Sequence, residues 1–274
     1  MNEKIALVLC GGGSKGAIEV GLYRSLTEQG IKIDFIVGSS IGAVNGAFIA
    51  SGISPAKLAD MWRNLKIRNL YGFNWDNLWK FFRSDSLYSH RPFRRFLEQY
   101  LPLQTFEELK VPLIVTCTNL QTGEPVYIRH GNLLDTLMAS VAMPGLFPPQ
   151  SYQGIQLVDG SVSEDVPLEL AISEGATTVL AMQYNCCPHS GGPLHGLVKI
   201  LIRAFSIALD RKTKSDVRHF GSRSKLIIFK PTFGSDIDLL DFRHTNMLIE
   251  KAYEFSKKTL EKEFSHQTQQ IRRE

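Results

Sequence analysis

Two glycine-rich turns near the start of the chain constrain its fold more than any other feature. Residues 4–10 (KIALVLC) read as a buried strand, Gly11, Gly12, Gly13 and Gly16 as a loop, and residues 17–29 as a helix in which Ile18, Leu22 and Leu26 recur every four positions. Residues 31–37 (IKIDFIV) give a second strand, and Gly38-Ser39-Ser40-Ile41-Gly42 leads into a helix of small and apolar residues, 43–50. Strands rich in β-branched residues and bounded by glycine are the pattern of a parallel sheet buried on both faces. In such a sheet both turns fall at the carboxyl edge, where ligands bind.

The second turn spells G-x-S-x-G, the spacing of a nucleophile elbow. Gly38 and Gly42 then stand where any side chain would collide with neighbouring backbone, and Ser40 is pushed into the open at a helix N-terminus, near free N–H groups. Ser40 is the candidate nucleophile. A five-residue motif recurs by chance, so an ordinary strand-to-helix turn has the same spelling and the context must decide. The first turn supplies that context, because consecutive N–H groups without side chains at a helix start form an anion cradle. A Walker A loop would carry its lysine after the last glycine, whereas Lys15 precedes Gly16. A dinucleotide fingerprint is matched by Gly11, Gly13 and Gly16, yet the acidic residue expected at the end of the next strand is replaced by the serine turn. An oxyanion hole meeting Ser40 over one substrate carbonyl fits both turns better.

These motifs, with Asp159-Gly160 much later, resemble the patatin-like phospholipase family, whose markers are G-G-G-x-[KR]-G, G-x-S-x-G and D-G-[GA]. The resemblance implies a three-layer α/β/α fold with a mostly parallel central sheet, and hydrolysis of lipid acyl esters by a Ser–Asp dyad with neither cofactor nor metal. Carried over by position, Gly11, Gly12, Gly13, Lys15 and Gly16 take the oxyanion-loop role, Ser40 the nucleophile and Asp159 the base. By itself IQLVDG is a short strand ending in a pair common in hairpin turns, so the role of Asp159 rests on the resemblance. The chain departs from the family pattern at Ser161, where Gly or Ala is usual, and at Glu164-Asp165, where amides are common. Asp165 is therefore a second candidate carboxylate, and Gly160 a secondary site position. ASVAMPGLFPP (residues 139–149) resembles the family's loop on the active-site side; its prolines make a rigid loop that presents Met143, Leu146 and Phe147, either plugging the core or walling an acyl pocket. LLDFRH and LIEKAYE extend the likeness over nearly the whole chain.

The same site would serve an acyltransferase, a short-chain esterase or a thioesterase, and a cradle without chemistry would serve a phosphate-ligand-binding protein. Composition narrows the rest. With 274 residues, 43% hydrophobic and 21% charged, the chain reads as one globular domain over residues 1–262 with a polar tail at 263–274. Net charge +4 without a basic run argues against nucleic acid and leaves contact with an anionic membrane surface open. The first apolar run is too short for a signal segment or a membrane span, and four cysteines without metal spacing (Cys10, Cys117, Cys186 and Cys187) fit reduced thiols, so a cytoplasmic place is expected. Residues 55–110 form an aromatic-rich helical segment in which Trp75, Trp79, Phe81 and Phe82 either pack over the sheet or meet lipid, with Arg91, Arg94 and Arg95 nearby. In residues 197–210 a thin polar stripe of Lys199, Arg203, Ser206 and Asp210 on an apolar helix points to buried packing. Lipid or another acyl ester is the expected substrate; nothing in the sequence sets the oligomeric state.

Overall fold

The computed structural model describes residues 3–66, 72–73, 86–184, 193–221, 223–233, 237, 239 and 241–271, the side chains of 72–73, 197–199 and 265–271 excepted. In chain order the elements are β1 (Ile5–Leu9), α1 (Ala17–Glu28), β2 (Phe35–Ser39), α2 (Ile41–Ala50), α3 (Pro55–Asn64), β3 (Gly72–Phe73), β4 (Tyr88–Ser89), α4 (Arg91–Tyr100), β5 (Leu113–Asn119) and β6 (Pro125–Ile128). They continue with α5 (Leu133–Ser140), β7 (Gln150–Tyr152), β8 (Ile155–Asp159), α6 (Leu168–Ser173), β9 (Thr178–Met182), α7 (Leu197–Phe220), β10 (Lys225–Phe229) and α8 (Thr245–Ile271). Trp75, Trp79, Phe81, Phe82, Cys186 and Cys187 lie outside the described residues.

The main sheet runs β10-β9-β1-β2-β5-β8-β7, with β6 on the outer edge of β5. Pairing is parallel from β10 to β5 and antiparallel where β6, β8 and β7 join. Because side chains alternate along a strand, β1 sends Leu7 and Leu9 into one core and Ala6 and Val8 into another. The first core is closed by α1 to α5 and α8, the second by α6 and the end of α7, which gives the three-layer α/β/α arrangement that the family resemblance implied. Close helix packing has a local cause at Gly21, where an added Cβ would strike the Ile249 carbonyl of α8.

One detail of register positions the site. Strand β2 pairs with β5 up to Ser39 opposite Thr116; β8 pairs with the same strand from the other direction and ends with Asp159 opposite Cys117. Since β6 occupies the other edge along Val115 to Thr118, β2 and β8 share one edge of β5 and meet head-on. The last residues of two strands far apart in sequence are thereby brought to adjacent rungs.

Two expectations change. The last helix, read from the sequence as 246–260, continues to Ile271. Helix α7 extends to Phe220, and its first half is not buried: Ser206 and Asp210 turn inward while Ile200, Leu201 and Ile207 face out. The polar groups can turn inward because they find partners within the helix, Ser206 Oγ donating to the Ile202 carbonyl and Lys214 Nζ pairing with Asp210 at 2.6 Å. No described helix is long and apolar enough to cross a membrane.

Candidate active site

The elbow is held by contacts that leave no room for side chains beside it. A Cβ on Gly38 would lie 2.5 Å from Ala43 Cα, and one on Gly42 would lie 2.5 Å from both the carbonyl carbon and oxygen of Leu9. Between them Ser40 takes φ 54 and ψ −127, a conformation that costs a non-glycine residue about 1–3 kcal/mol and persists only where the surroundings impose it. The Ser40 N–H donates to Ser140 Oγ at 3.0 Å, and Ser140 Oγ donates to the Thr116 carbonyl at 2.7 Å, fastening the turn to β5.

Across the head-on junction, Ser40 Oγ donates to Asp159 Oδ2 at 2.6 Å. The other carboxylate oxygen, Oδ1, accepts from Ser161 N at 2.9 Å and Ser161 Oγ at 2.7 Å, so both oxygens are oriented and only Oδ2 faces the serine. The strand end is fixed by Asp159 N–H donating to the Ala142 carbonyl and by Thr118 Oγ1 donating to the Asp159 carbonyl. Burial pushes the Asp159 carboxyl up to about 6, against the hydrogen bonds from Ser40 and Ser161 that favour its charge. Gly160 is needed where the strands abut, since a Cβ there would strike the Thr116 carbonyl.

The glycine loop divides its N–H groups between structure and cleft. Gly11 N–H donates to Asp165 Oδ1 at 3.2 Å, Ser14 N–H to the Leu239 carbonyl and Lys15 N–H to the Gly12 carbonyl. The N–H groups of Gly12 and Gly13 make no hydrogen bond among the described residues, and both glycines line the cleft with Ser40 and Asp159. Their φ values of 153 and 56 belong to glycine, and a Cβ on Gly13 would strike the Leu239 carbonyl. Ile41, the first residue of α2, also lines the cleft and adds an N–H of the kind a helix leaves unpaired at its start. Asp165 has its carboxyl pushed up to about 7, by burial first and then by the neighbouring charge of Asp159.

Above these groups a cleft opens to solvent, with about 1030 Å³ of empty space when the solvent at its mouth is included. Its walls are mostly apolar, from Met143, Leu146 and Phe147 of the rigid loop, Phe93 of α4, and Phe205 and Leu209 of α7. The residues from 143 to 147 thus do both things expected of them: Leu146 and Phe147 are buried, and they also wall the cleft. A deep apolar cleft over a serine, a carboxylate and free amides has the composition of an acyl-chain site.

The sequence model of the patatin-like phospholipase family matches residues 7–172. The chain belongs to that family. It is 26% identical over 296 aligned residues to the lysophospholipase nte1 of Aspergillus terreus, an alignment that takes in 99% of this chain and 19% of the relative. It is 30% identical over 186 residues to patatin-like phospholipase domain-containing protein 7 of Rattus norvegicus, covering 65% of this chain and 13% of the relative. The chain therefore spans a fifth or less of the length of these relatives. Its fold is similar to that of the crystal structure of VipD from Legionella pneumophila, with a TM-score of 0.51 at 13% identity over 95% of this chain and 67% of that one.

Not every position of the patatin-like loop motif faces the cleft. Gly16 sits behind it, where a Cβ would lie 2.9 Å from Ile41 Cγ2 and 3.1 Å from Trp62, so it serves packing between helices. Lys15 lines the cleft through its side chain, whose Nζ lies 3.9 Å from the centre of the Tyr184 ring. Sequence reading missed the network beneath the loop: buried Glu19 accepts from Cys10 N–H at 2.9 Å and from Asn45 Nδ2 at 2.7 Å, and Asn45 Oδ1 accepts from Trp62 Nε1 at 2.8 Å. Burial pushes the Glu19 carboxyl up to about 8. The signal for it was an acidic residue inside an otherwise apolar helix start, Ala17-Ile18-Glu19-Val20.

Proposed function

We propose that the chain hydrolyses lipid acyl esters, with Ser40 as nucleophile, Asp159 as general base and the N–H groups of Gly12 and Gly13 as oxyanion donors. The observation that carries this reading is the 2.6 Å hydrogen bond from Ser40 Oγ to a buried carboxylate on the floor of an apolar cleft. Ser40 Oγ attacks the ester carbonyl while its proton passes to Asp159 Oδ2; the loop amides hold the oxyanion; the leaving alkoxide takes the proton from Asp159, and an acyl-enzyme remains. Water repeats the sequence in reverse, giving a proton to Asp159, and Ser40 recovers it as the fatty acid leaves. Two buried carboxylates beside the cradle, Asp159 and Asp165, count against a phosphate ligand there, since each ionised form would repel it.

A fluorophosphonate probe tests the assignment: it should label wild type at one residue, Ser40, and leave Ser40→Ala unlabelled, while a panel of lipids and short esters is turned over by wild type alone. Label retained in Ser40→Ala, or unchanged turnover, would remove the serine from the reaction. Added alcohol or thiol acceptors in the same panel separate acyl transfer from hydrolysis.

The pH profile follows from the burial of Asp159. The base acts only when ionised, so kcat/KM should be flat well above pH 6 and fall about tenfold per pH unit below it. Asp165→Asn removes the other perturbed carboxyl of the cleft, and the acid limb should persist in it. Loss of the limb in that variant would assign the ionisation to Asp165 instead.

A further inference from the structure

Helix α7 has two apolar sides with different surroundings. Phe205 and Leu209 face the cleft over Ser40. On the opposite side Ile200 and Ile207 are 48% and 39% exposed, and Leu194 just before the helix is 50% exposed. At 100° per residue, Ile200, Ala204, Ile207, Arg211 and Arg218 fall in one outward row, apolar over the first turns and basic toward the end. Exposed apolar residues this large, repeated on one helical face, mark a contact surface rather than scattered surface residues.

We infer that the outward row of α7 is a docking surface for an anionic lipid bilayer, with Leu194, Ile200 and Ile207 entering the acyl boundary and Arg211 and Arg218 meeting the headgroups. Charge complementarity selects this occupant: residues 197–220 hold six Lys or Arg against two Asp, a net +4 by sequence that equals the net charge of the whole chain. Continuity with the cleft supports it, because the same helix that would rest on the bilayer also forms the cleft wall, so an acyl chain leaving the membrane passes from one side of α7 to the other. The stripe lies in the interface without crossing it, as no described helix is apolar enough to span. This inference rests on the proposed lipid substrate, but the surface can be tested without catalysis.

The experiment is sedimentation with phosphatidylcholine vesicles, with and without phosphatidylserine, using the Ser40→Ala chain so that no turnover intervenes. Binding should require the anionic lipid and weaken as salt is raised. The Ile200→Glu/Ile207→Glu double variant should lose at least about tenfold in partition, and Arg211→Gln or Arg218→Gln about fivefold each. All three, made also with Ser40 intact, should keep wild-type fluorophosphonate labelling, which reports an intact cleft. Unchanged vesicle binding by the folded double variant overturns the inference. So does a wild-type chain that is dimeric by light scattering, becomes monomeric in the double variant and ignores vesicles, since the row would then pair with a second copy. Vesicle binding without ester turnover by wild type would retain the surface and reject the proposed reaction.

Discussion

Asp159→Asn should lower kcat by roughly 10⁴-fold, close to the loss in Ser40→Ala, because two groups that transfer one proton fail together. The amide is nearly isosteric and its Oδ1 can still accept from Ser161, but it offers Ser40 no site for a proton. The variant should remain folded. Burial raises the Asp159 pKa to about 6 from 3.8, so the folded chain holds that proton more tightly than the unfolded chain, and this contribution to stability is lost as pH rises from about 4 through 6. Asparagine carries no such loss, and its melting temperature at pH 8 should be no lower than wild type.

The same comparison tests for a histidine base. His90 is buried, stacked on Phe147 with ring centres 4.2 Å apart, and burial pushes its pKa down to about 4. His130, His195, His219 and His244 lie outside the cleft, His189 is outside the described residues, and the side chain of His266 is not described. Each histidine changed to Gln should reduce kcat/KM by less than about tenfold. One histidine variant as inactive as Ser40→Ala, with Asp159→Asn active, would replace the proposed dyad by a triad.

What the sequence made legible was local. Gly38 and Gly42 announced the elbow because a tight strand-to-helix crossing excludes Cβ atoms, a constraint written in residue type. The head-on meeting of β2 and β8 was not legible, because it depends on the pairing of both strands with β5, and pairing is non-local. Asp159-Gly160 therefore looked like a hairpin turn, whereas the hairpin between β7 and β8 turns at Gln153-Gly154, with φ 47 and 85. Helix α7 misled for a related reason. A thin polar stripe pointed to a buried helix, but Ser206 and Asp210 find partners on their own helix and turn inward, which leaves Ile200 and Ile207 exposed instead. The Glu19–Asn45–Trp62 network joins three helices, and no spacing in one segment encodes it.

Gly42→Ala should destabilise the chain by about 3 kcal/mol or more, a large share of the roughly 5–15 kcal/mol typical of a domain. Its new methyl would sit 2.5 Å from the Leu9 carbonyl carbon and oxygen and 2.7 Å from the Cys10 carbonyl oxygen. These are backbone atoms of β1 and the residue after it, and β1 is held by β2 on one side and β9 on the other, so neither can yield without moving the sheet. Gly46→Ala, one helical turn later, is the control. Its methyl would meet only side-chain tips, Leu113 Cδ1 at 3.0 Å and Ile36 Cγ2 at 3.2 Å, and alanine gains up to about 1 kcal/mol of helix propensity over glycine, so the net change should stay within about 1 kcal/mol. Urea unfolding of the two variants decides it: equal midpoints would mean that close approach of α2 to β1 is not what requires Gly42. The consequence reaches the site, because Cys10 leads directly into the glycine loop and Gly42 follows Ser40 by two residues. A methyl wedged between them separates Ser40 from the amides of Gly12 and Gly13 proposed as oxyanion donors, and the folded fraction of Gly42→Ala should react with fluorophosphonate more slowly than Gly46→Ala.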